Sequence, residues 1–313
     1  MNFKKPRFWD YKKPTFLSYL LLPFTLPLII NNFFLKLKKK DEFNNKITKI
    51  CVGNIYVGGT GKTPLVIKIF QILNQLNYKT AVIKKFYRNH FDEQKILNNN
   101  TKLYCLKNRV TAVYEAIKDK NDIVIFDDGL QDRSINYDLK FICFNNIKWI
   151  GNGFLIPAGP LRERVESILK YDAVFINGNE NDNTNLRLFI REYNKNIKIF
   201  ESHYFPKNID QFNTTERYVV FSGIGNPESF LETLVRNKIN IVKTINFPDH
   251  FNYTQKDIDK IKLQAKKLNA KIITTEKDYV KINPDKNNDI MFLKIELKIK
   301  NEEKLIDYLK LHI

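Results

Sequence analysis

Val57-Gly58-Gly59-Thr60-Gly61-Lys62-Thr63 follows the apolar run Ile50-Cys51-Val52 and precedes a helical pattern. Glycine here lets the backbone turn its N–H groups inward around anionic oxygens, because φ > 0 carries no Cβ penalty. Lysine then supplies a point charge to the β/γ-phosphates, and threonine a hydroxyl for a magnesium ion. A helix beginning at this point adds the positive end of its dipole. Pro64 is tolerated in its first turn, where a missing N–H costs nothing. The order strand, loop, helix predicts a nucleotide-binding loop made by Tyr56, Val57, Gly58, Gly59, Thr60, Gly61, Lys62 and Thr63. Tyr56 stands where G-x-x-x-x-G-K-[ST] places glycine, so the stretch is closer to the variant G-G-x-G-K-[ST] form.

At 313 residues the chain is long enough for two domains. A composition of 43% hydrophobic and 27% charged residues is that of a folded protein. Only 11 glycines occur, so the cluster at Gly53, Gly58, Gly59 and Gly61 is a concentration rather than background. Net charge is +18, and nine basic residues against one acid lie in the first 40 positions. Such a surplus attracts polyanions: nucleic acid, anionic headgroups or phosphorylated substrates. Composition does not choose among them, and no aromatic-basic recognition motif supports nucleic acid. Cys51, Cys105 and Cys143 are widely spaced with no C-x-x-C pair, which indicates reduced cytosolic thiols rather than a zinc site or disulfide framework.

Residues 16–35 carry no charge and are bracketed by Lys12-Lys13 and Lys36-Leu37-Lys38-Lys39-Lys40. Twenty apolar residues are just enough to span a bilayer, but Pro23 and Pro27 interrupt the helix and Asn31-Asn32 would be desolvated. Basic residues at both ends favour keeping both on the cytoplasmic face. A signal peptide fits poorly, since no small-residue cleavage site follows. The expectation is a kinked helix or helical hairpin over residues 1–40, set in one leaflet with Phe8, Trp9, Tyr11 and Phe16 near headgroup level. An apolar helix packed on the globular body is the alternative.

The remainder alternates strand-like and helix-like segments, the rhythm of a mostly parallel sheet covered by helices. Strands are predicted at 49–52, 80–84, 123–126, 139–144 and 173–177, with helices at 63–76 and 109–119. A second set follows: strands at 218–222, 239–245, 271–275 and 290–295, and helices at 227–237, 254–268 and 302–311. The polar stretch 204–216 separates them, giving an α/β fold with a P-loop-type domain at 41–206 and a smaller α/β domain at 207–313. Asp127-Asp128 ends the apolar run Ile123-Val124-Ile125-Phe126, and ligands of open α/β sheets lie at the carboxyl ends of strands. An Asp there can hold Mg²⁺ beside the loop threonine, which makes Thr63, Asp127 and Asp128 the metal candidates.

Six stretches in order resemble the tetraacyldisaccharide 4′-kinase family of lipid A synthesis. They are Val52-Gly53-Asn54 with residues 57–64, Asp127-Asp128-Gly129-Leu130-Gln131, residues 155–163 (Leu-Ile-Pro-Ala-Gly-Pro-Leu-Arg-Glu), Gly223-Ile224-Gly225-Asn226-Pro227-Glu228, Phe247-Pro248-Asp249-His250 and Thr274-Thr275-Glu276-Lys277-Asp278. The resemblance implies transfer of the ATP γ-phosphoryl to the 4′-hydroxyl of an acylated glucosamine disaccharide 1-phosphate, at the cytoplasmic face of the inner membrane. The lipid substrate gives the N-terminal segment a purpose, and a monomer is the expected state. Lys62 is implied to neutralise the transferring group, and Thr63, Asp127 and Asp128 to organise Mg²⁺. Arg162 and Glu163 line the site, and His250 works with an aspartate near the acceptor hydroxyl.

Three departures stand out. The family's aspartate aligns with Asn108, whose amide takes no proton at physiological pH. The Ser-Arg-Gly-Tyr stretch is Lys84-Lys85-Phe86-Tyr87, and the histidine usual after Asp-Asp-Gly-x-Gln is Asp132. The rival class is a P-loop ATPase or GTPase switch at the membrane. This chain lacks the Asn-Lys-x-Asp segment that guanine specificity needs, to which Asn237-Lys238-Ile239-Asn240 comes nearest.

Overall fold

The computed structural model describes residues 5–36, 43, 47–180, 182–283 and 288–313. In chain order its main elements are α1 (Phe16–Leu20), α2 (Leu26–Lys36), β1 (Thr48–Gly53), α3 (Lys62–Gln75), β2 (Thr80–Lys85), α4 (Phe91–Asn100), β3 (Leu103–Leu106), α5 (Arg109–Lys118), β4 (Ile123–Asp127), β5 (Leu139–Asn145), β6 (Ala173–Gly178) and α6 (Thr184–Tyr193). There follow β7 (Lys198–Pro206), β8 (Arg217–Ser222), α7 (Pro227–Arg236), β9 (Asn240–Asn246), α8 (Gln255–Lys267), β10 (Lys271–Thr275), α9 (Glu276–Tyr279), β11 (Ile290–Leu293), β12 (Ile295–Ile299) and α10 (Glu302–His312). The fold is α/β with a large, mostly parallel sheet.

The chain divides into interleaved units rather than the two contiguous domains expected at 41–206 and 207–313. One comprises residues 5–86, 97–203 and 297–313, the other 87–96 and 204–296. The last helix joins the first unit because Leu305 and Leu309 are buried, Tyr308 packs its ring on Phe141 and Phe200, and Glu302 pairs with Lys68 at 2.8 Å. Residues 87–96 join the second through the ion pairs of Asp92 and Glu93 described below. Neither attachment leaves a mark in local periodicity.

The larger unit is built on a sheet of order β12-β7-β6-β5-β1-β4-β2-β3. Its central strands are near-continuous apolar runs because helices cover both faces. The chain leaves β1 for β2 on one side, returns to β4, then crosses to β5 on the other side. β1 therefore stands at the reversal of strand order, where a ligand crevice opens at the carboxyl ends.

In the smaller unit β11-β10-β8-β9 form a parallel sheet. Alternate residues of β8 face opposite sides: Tyr218 and Val220 pack with Phe230 and Leu234 of α7, and Val219 and Phe221 with Ile258, Ile261 and Ala265 of α8. The helical spacing of that last trio is what buries α8, and Thr254 and Asp257 close its first turn with a capping box.

At the N-terminus, among the described residues, no helix is long and apolar enough to cross a membrane. The segment breaks into α1, a 3-10 turn at Leu22–Thr25 containing Pro23, and α2. Three polar side chains face the protein: Ser18 is fully buried and accepts from Asn152 Nδ2 at 3.0 Å, Thr25 is buried, and Asn32 Nδ2 donates to the Arg162 carbonyl at 3.2 Å, whereas Asn31 is exposed. Several apolar side chains face outward, including Phe16 (83% exposed), Leu20 and Phe24 (64%), while Leu28 and Ile29 of α2 pack against the core. Trp9 departs from its expected headgroup position, being buried with its indole N–H donated to the Pro157 carbonyl. The basic flank at residues 37–40 lies outside the described residues.

Candidate active site

Between β1 and α3 the loop is held open by side chains that staple its backbone. Asn54 Nδ2 donates to Thr60 Oγ1 at 2.8 Å and to the Tyr56 carbonyl, and Asn177 Nδ2 donates to the Thr60 carbonyl at 2.8 Å. Ser202 fixes Asn177 in turn. Gly58, Gly59 and Gly61 all have positive φ, and Gly61 caps α3 in the left-handed conformation. Residues 58–63 thus have the backbone geometry that an anion cradle requires. Tyr56 and Val57 are in the loop but not in the cradle. The buried Tyr56 ring sends its hydroxyl to Asp10, and the Val57 N–H donates to the Pro160 carbonyl at 3.0 Å.

Parallel pairing sets Val52 beside Asp127, which delivers the end of β4 to the loop. Thr63 Oγ1 donates to Asp127 Oδ2 at 3.0 Å, and Lys84 Nζ, from the end of β2, reaches the same oxygen at 2.8 Å. Asp127 Oδ1 is buried and without a hydrogen-bond partner among the described residues. A buried orphan carboxylate oxygen next to a threonine hydroxyl suits a hard cation, so these residues fit Mg²⁺.

Asp128 follows in the left-handed region, turned toward cations. Arg162 Nη1 donates to its Oδ2 at 2.9 Å, and Lys62 Nζ lies 3.9 Å from the same atom. Burial opposes ionisation of Asp128, but the charges of Lys62, Arg162 and Lys84 outweigh it and hold the carboxyl well below the usual carboxylate range. Glu163 is buried, accepting from Gln131 Nε2 at 2.8 Å and from the Tyr171 hydroxyl at 3.3 Å. It orders the strand-end loop through Gln131, which also donates to the Asn54 carbonyl. Asp132, in place of the expected histidine, pairs with Arg109 at 2.9 Å, and Arg109 donates to the Asp128 carbonyl at 2.7 Å.

The second unit carries a separate constellation. His250 sits at positive φ, its N–H donated to the Gly223 carbonyl and to Asp249. Nδ1 lies 3.1 Å from both oxygens of Asp92, which is 1% exposed in the first turn of α4. Carboxylates only accept, so Nδ1 carries a proton, and in the neutral ring Nε2 carries the lone pair. Burial raises the Asp92 pKa, but the hydrogen bond from His250 and the charge of Lys277 bring it below the ordinary value. Lys277 Nζ faces His250 Nε2 at 3.4 Å and is shared with Asp249 (3.1 Å) and Glu93 (3.5 Å). Burial disfavours its charge, yet Asp249, Glu93 and Asp92 raise the ammonium's pKa above its usual value. The ring of His90 stacks on His250 with centroids 4.3 Å apart.

The family model described as Tetraacyldisaccharide-1-P 4′-kinase matches residues 15–313. The chain belongs to the tetraacyldisaccharide 4′-kinase family. It is 50% identical to the tetraacyldisaccharide 4′-kinase of Pelagibacter ubique, over 99% of this chain and 98% of that one, and 36% identical to that of Rickettsia canadensis, over 95% and 93%. Among solved structures it is similar to LpxK from Aquifex aeolicus, crystallised in complex with ATP. The TM-score is 0.68 at 21% identity, covering 95% of this chain and 99% of that one, so the likeness is one of fold.

Family membership makes one discrepancy instructive. Asn108 is the N-cap of α5, its Oδ1 accepting from the Val110 N–H at 2.8 Å. The carboxylate that His250 meets is that of Asp92. The Asn-Arg dipeptide before α5 begins at a capping position, where Asn and Asp serve equally well. Lys84 was visible in the sequence only as a departure, and its contact with Asp127 depends on strand order. Of the proposed site residues, Lys62, Thr63, Asp127, Asp128 and Arg162 converge, with Glu163 joined to them through the loop that Gln131 spans.

Proposed function

We infer that this chain is an ATP-dependent kinase that phosphorylates the 4′-hydroxyl of a tetraacyldisaccharide 1-phosphate. The observation that carries the reading is the convergence of Lys62 and Thr63 on the adjacent carboxylates Asp128 and Asp127. Phosphoryl transfer passes through a loose transition state and asks for positioning and charge neutralisation more than covalent chemistry. The cradle of residues 58–63 grips the phosphates, and Lys62 and Arg162 place positive charge beside Asp128. Asp127 Oδ1 and Thr63 Oγ1 would hold Mg²⁺, which when bound neutralises charge on the β/γ-phosphates.

Within the smaller unit, Asp92 orients the His250 ring, so that Nε2 can take the proton of a sugar alcohol. The outward apolar side chains of α1 and α2 suit burial in a lipid surface, which supports peripheral attachment to the inner membrane where the acyl chains lie.

The test is transfer of label from [γ-³²P]ATP to the precursor disaccharide in mixed micelles. Label in the lipid, dependent on the acceptor, is the expected result. Steady nucleotide hydrolysis without lipid acceptor would instead point to a switch ATPase.

A further inference from the structure

Beside the phosphate loop, among the described residues of the larger unit, the four cations Lys62, Lys84, Arg109 and Arg162 interleave with the four carboxylates Asp127, Asp128, Asp132 and Glu163. Before any substrate arrives they balance. Lys84 is the member that departs from the family's Ser-Arg-Gly-Tyr stretch, and it is 4% exposed at the carboxyl end of β2. Its ammonium lies 2.8 Å from Asp127 Oδ2, where Thr63 also donates. Both interactions fall on Oδ2, leaving Oδ1 buried and without a partner among the described residues.

Serine at position 84 would leave the same cluster with one surplus negative charge. A tetra-anionic triphosphate approaching that site is repelled until a divalent cation neutralises Asp127. With lysine there, the neutralisation is built into the chain. We propose that Lys84 is a resident cation on the metal-binding carboxylate, which lets this site hold ATP without divalent metal and lowers its affinity for the metal itself. The inference rests on the ATP-kinase reading and goes beyond it by assigning a positioning role that the phosphate-loop motif does not contain. Lys84 acts through Asp127: it neutralises one carboxylate oxygen and fixes which oxygen remains to meet a metal.

Two binding measurements on the full-length protein, neither of them a rate, test this with Lys84→Ser and the near-isosteric Lys84→Met. Calorimetric titration with ATP in EDTA should show affinity falling about tenfold or more in both variants, the scale of one partly buried charge interaction. Titration of the nucleotide-free protein with Mn²⁺, read by electron paramagnetic resonance, should show both variants binding the ion tighter than wild type, because the competing ammonium is gone. The two shifts have opposite signs, whereas misfolding would weaken both. Equal ATP affinity in EDTA for wild type and variants, or Mn²⁺ binding that is unchanged or weaker in the variants, overturns the proposal. Wild type that binds ATP only with metal also overturns it while leaving the kinase reading intact, and wild type that binds ATP in neither condition overturns both.

Discussion

Both carboxylate oxygens of Asp92 lie 3.1 Å from Nδ1 of His250, although the two residues are 158 positions apart. The pair lies within one unit of the chain, and its aspartate comes from a ten-residue stretch, 87–96, that interrupts the sequence of the other. His250 is therefore oriented through one ring nitrogen and can exchange a proton only at the other.

Asp92→Asn and His250→Ala should each lower kcat by about 10²–10⁴-fold, the usual scale for a positioned acid–base group. The double variant should be little worse than either single one, because groups acting as a unit are non-additive. Steady-state kinetics with saturating ATP and lipid acceptor checks this. Fully multiplicative losses would show that the two residues work independently.

Asn108→Asp should leave turnover unchanged, since either side chain caps α5. Asn108→Ala should cost about 1 kcal/mol of stability, the typical value of a lost N-cap, with kcat preserved. Denaturant unfolding alongside the kinase assay separates the two effects. A rate gain in Asn108→Asp would restore this position as a limit on proton removal.

Removing the lysine at the loop tip should be far more damaging. Lys62→Ala loses a preorganised cation at the developing charge, and a fall of at least about 10²–10³-fold in kcat is expected. The half-buried Asp128 then keeps Arg162 and Lys84 as neighbouring cations. Retained turnover in this variant would contradict the role assigned to Lys62.

Acid stability follows from the depressed pKa of Asp128. Its carboxyl titrates lower in the folded chain than its ordinary value of 3.8, so the stabilisation it provides is fully present above that pH. As pH falls below 3.8 toward the folded value, the unfolded chain binds the proton first and the stabilisation is lost. The stability gap between wild type and Asp128→Asn should be constant from neutral pH to about 4 and shrink below it, within the range where the protein stays folded. Thermal melts across that range provide the check, and a gap that widens on acidification would reverse the assignment.

Outward apolar residues of the first two helices should govern lipid attachment. Replacing Phe16, Leu20 and Phe24 together by serine should reduce cosedimentation with anionic vesicles by at least about tenfold, since full burial of each large apolar side chain contributes about 1.5–3 kcal/mol. Soluble-acceptor turnover should be retained. Undiminished vesicle binding would place the attachment elsewhere, for instance in the basic residues of the N-terminus.

Much of this architecture was readable along the chain. The central strands β1, β4, β5 and β6 are apolar runs bounded by turn residues, and α8 declares itself by the spacing of Ile258, Ile261 and Ala265. β3 was missed because it is an edge strand of four half-exposed residues with no alternation. The single strand expected at 290–295 is in fact two, β11 and β12, belonging to different sheets, a division that composition does not mark.

The primary structure alone determined the phosphate cradle, since strand, glycines, lysine and helix are covalent neighbours and each acts through local backbone geometry. It also placed Asp127 and Asp128 at a strand end, because a strand that stops being apolar has left the core. Only the folded chain decided that Lys84 meets Asp127 across 43 positions and that Asp92, not Asn108, meets His250. Those contacts depend on which strands become neighbours and which segment joins which unit. Such choices are made by the burial and charge pairing of distant surfaces, and local periodicity carries no record of them.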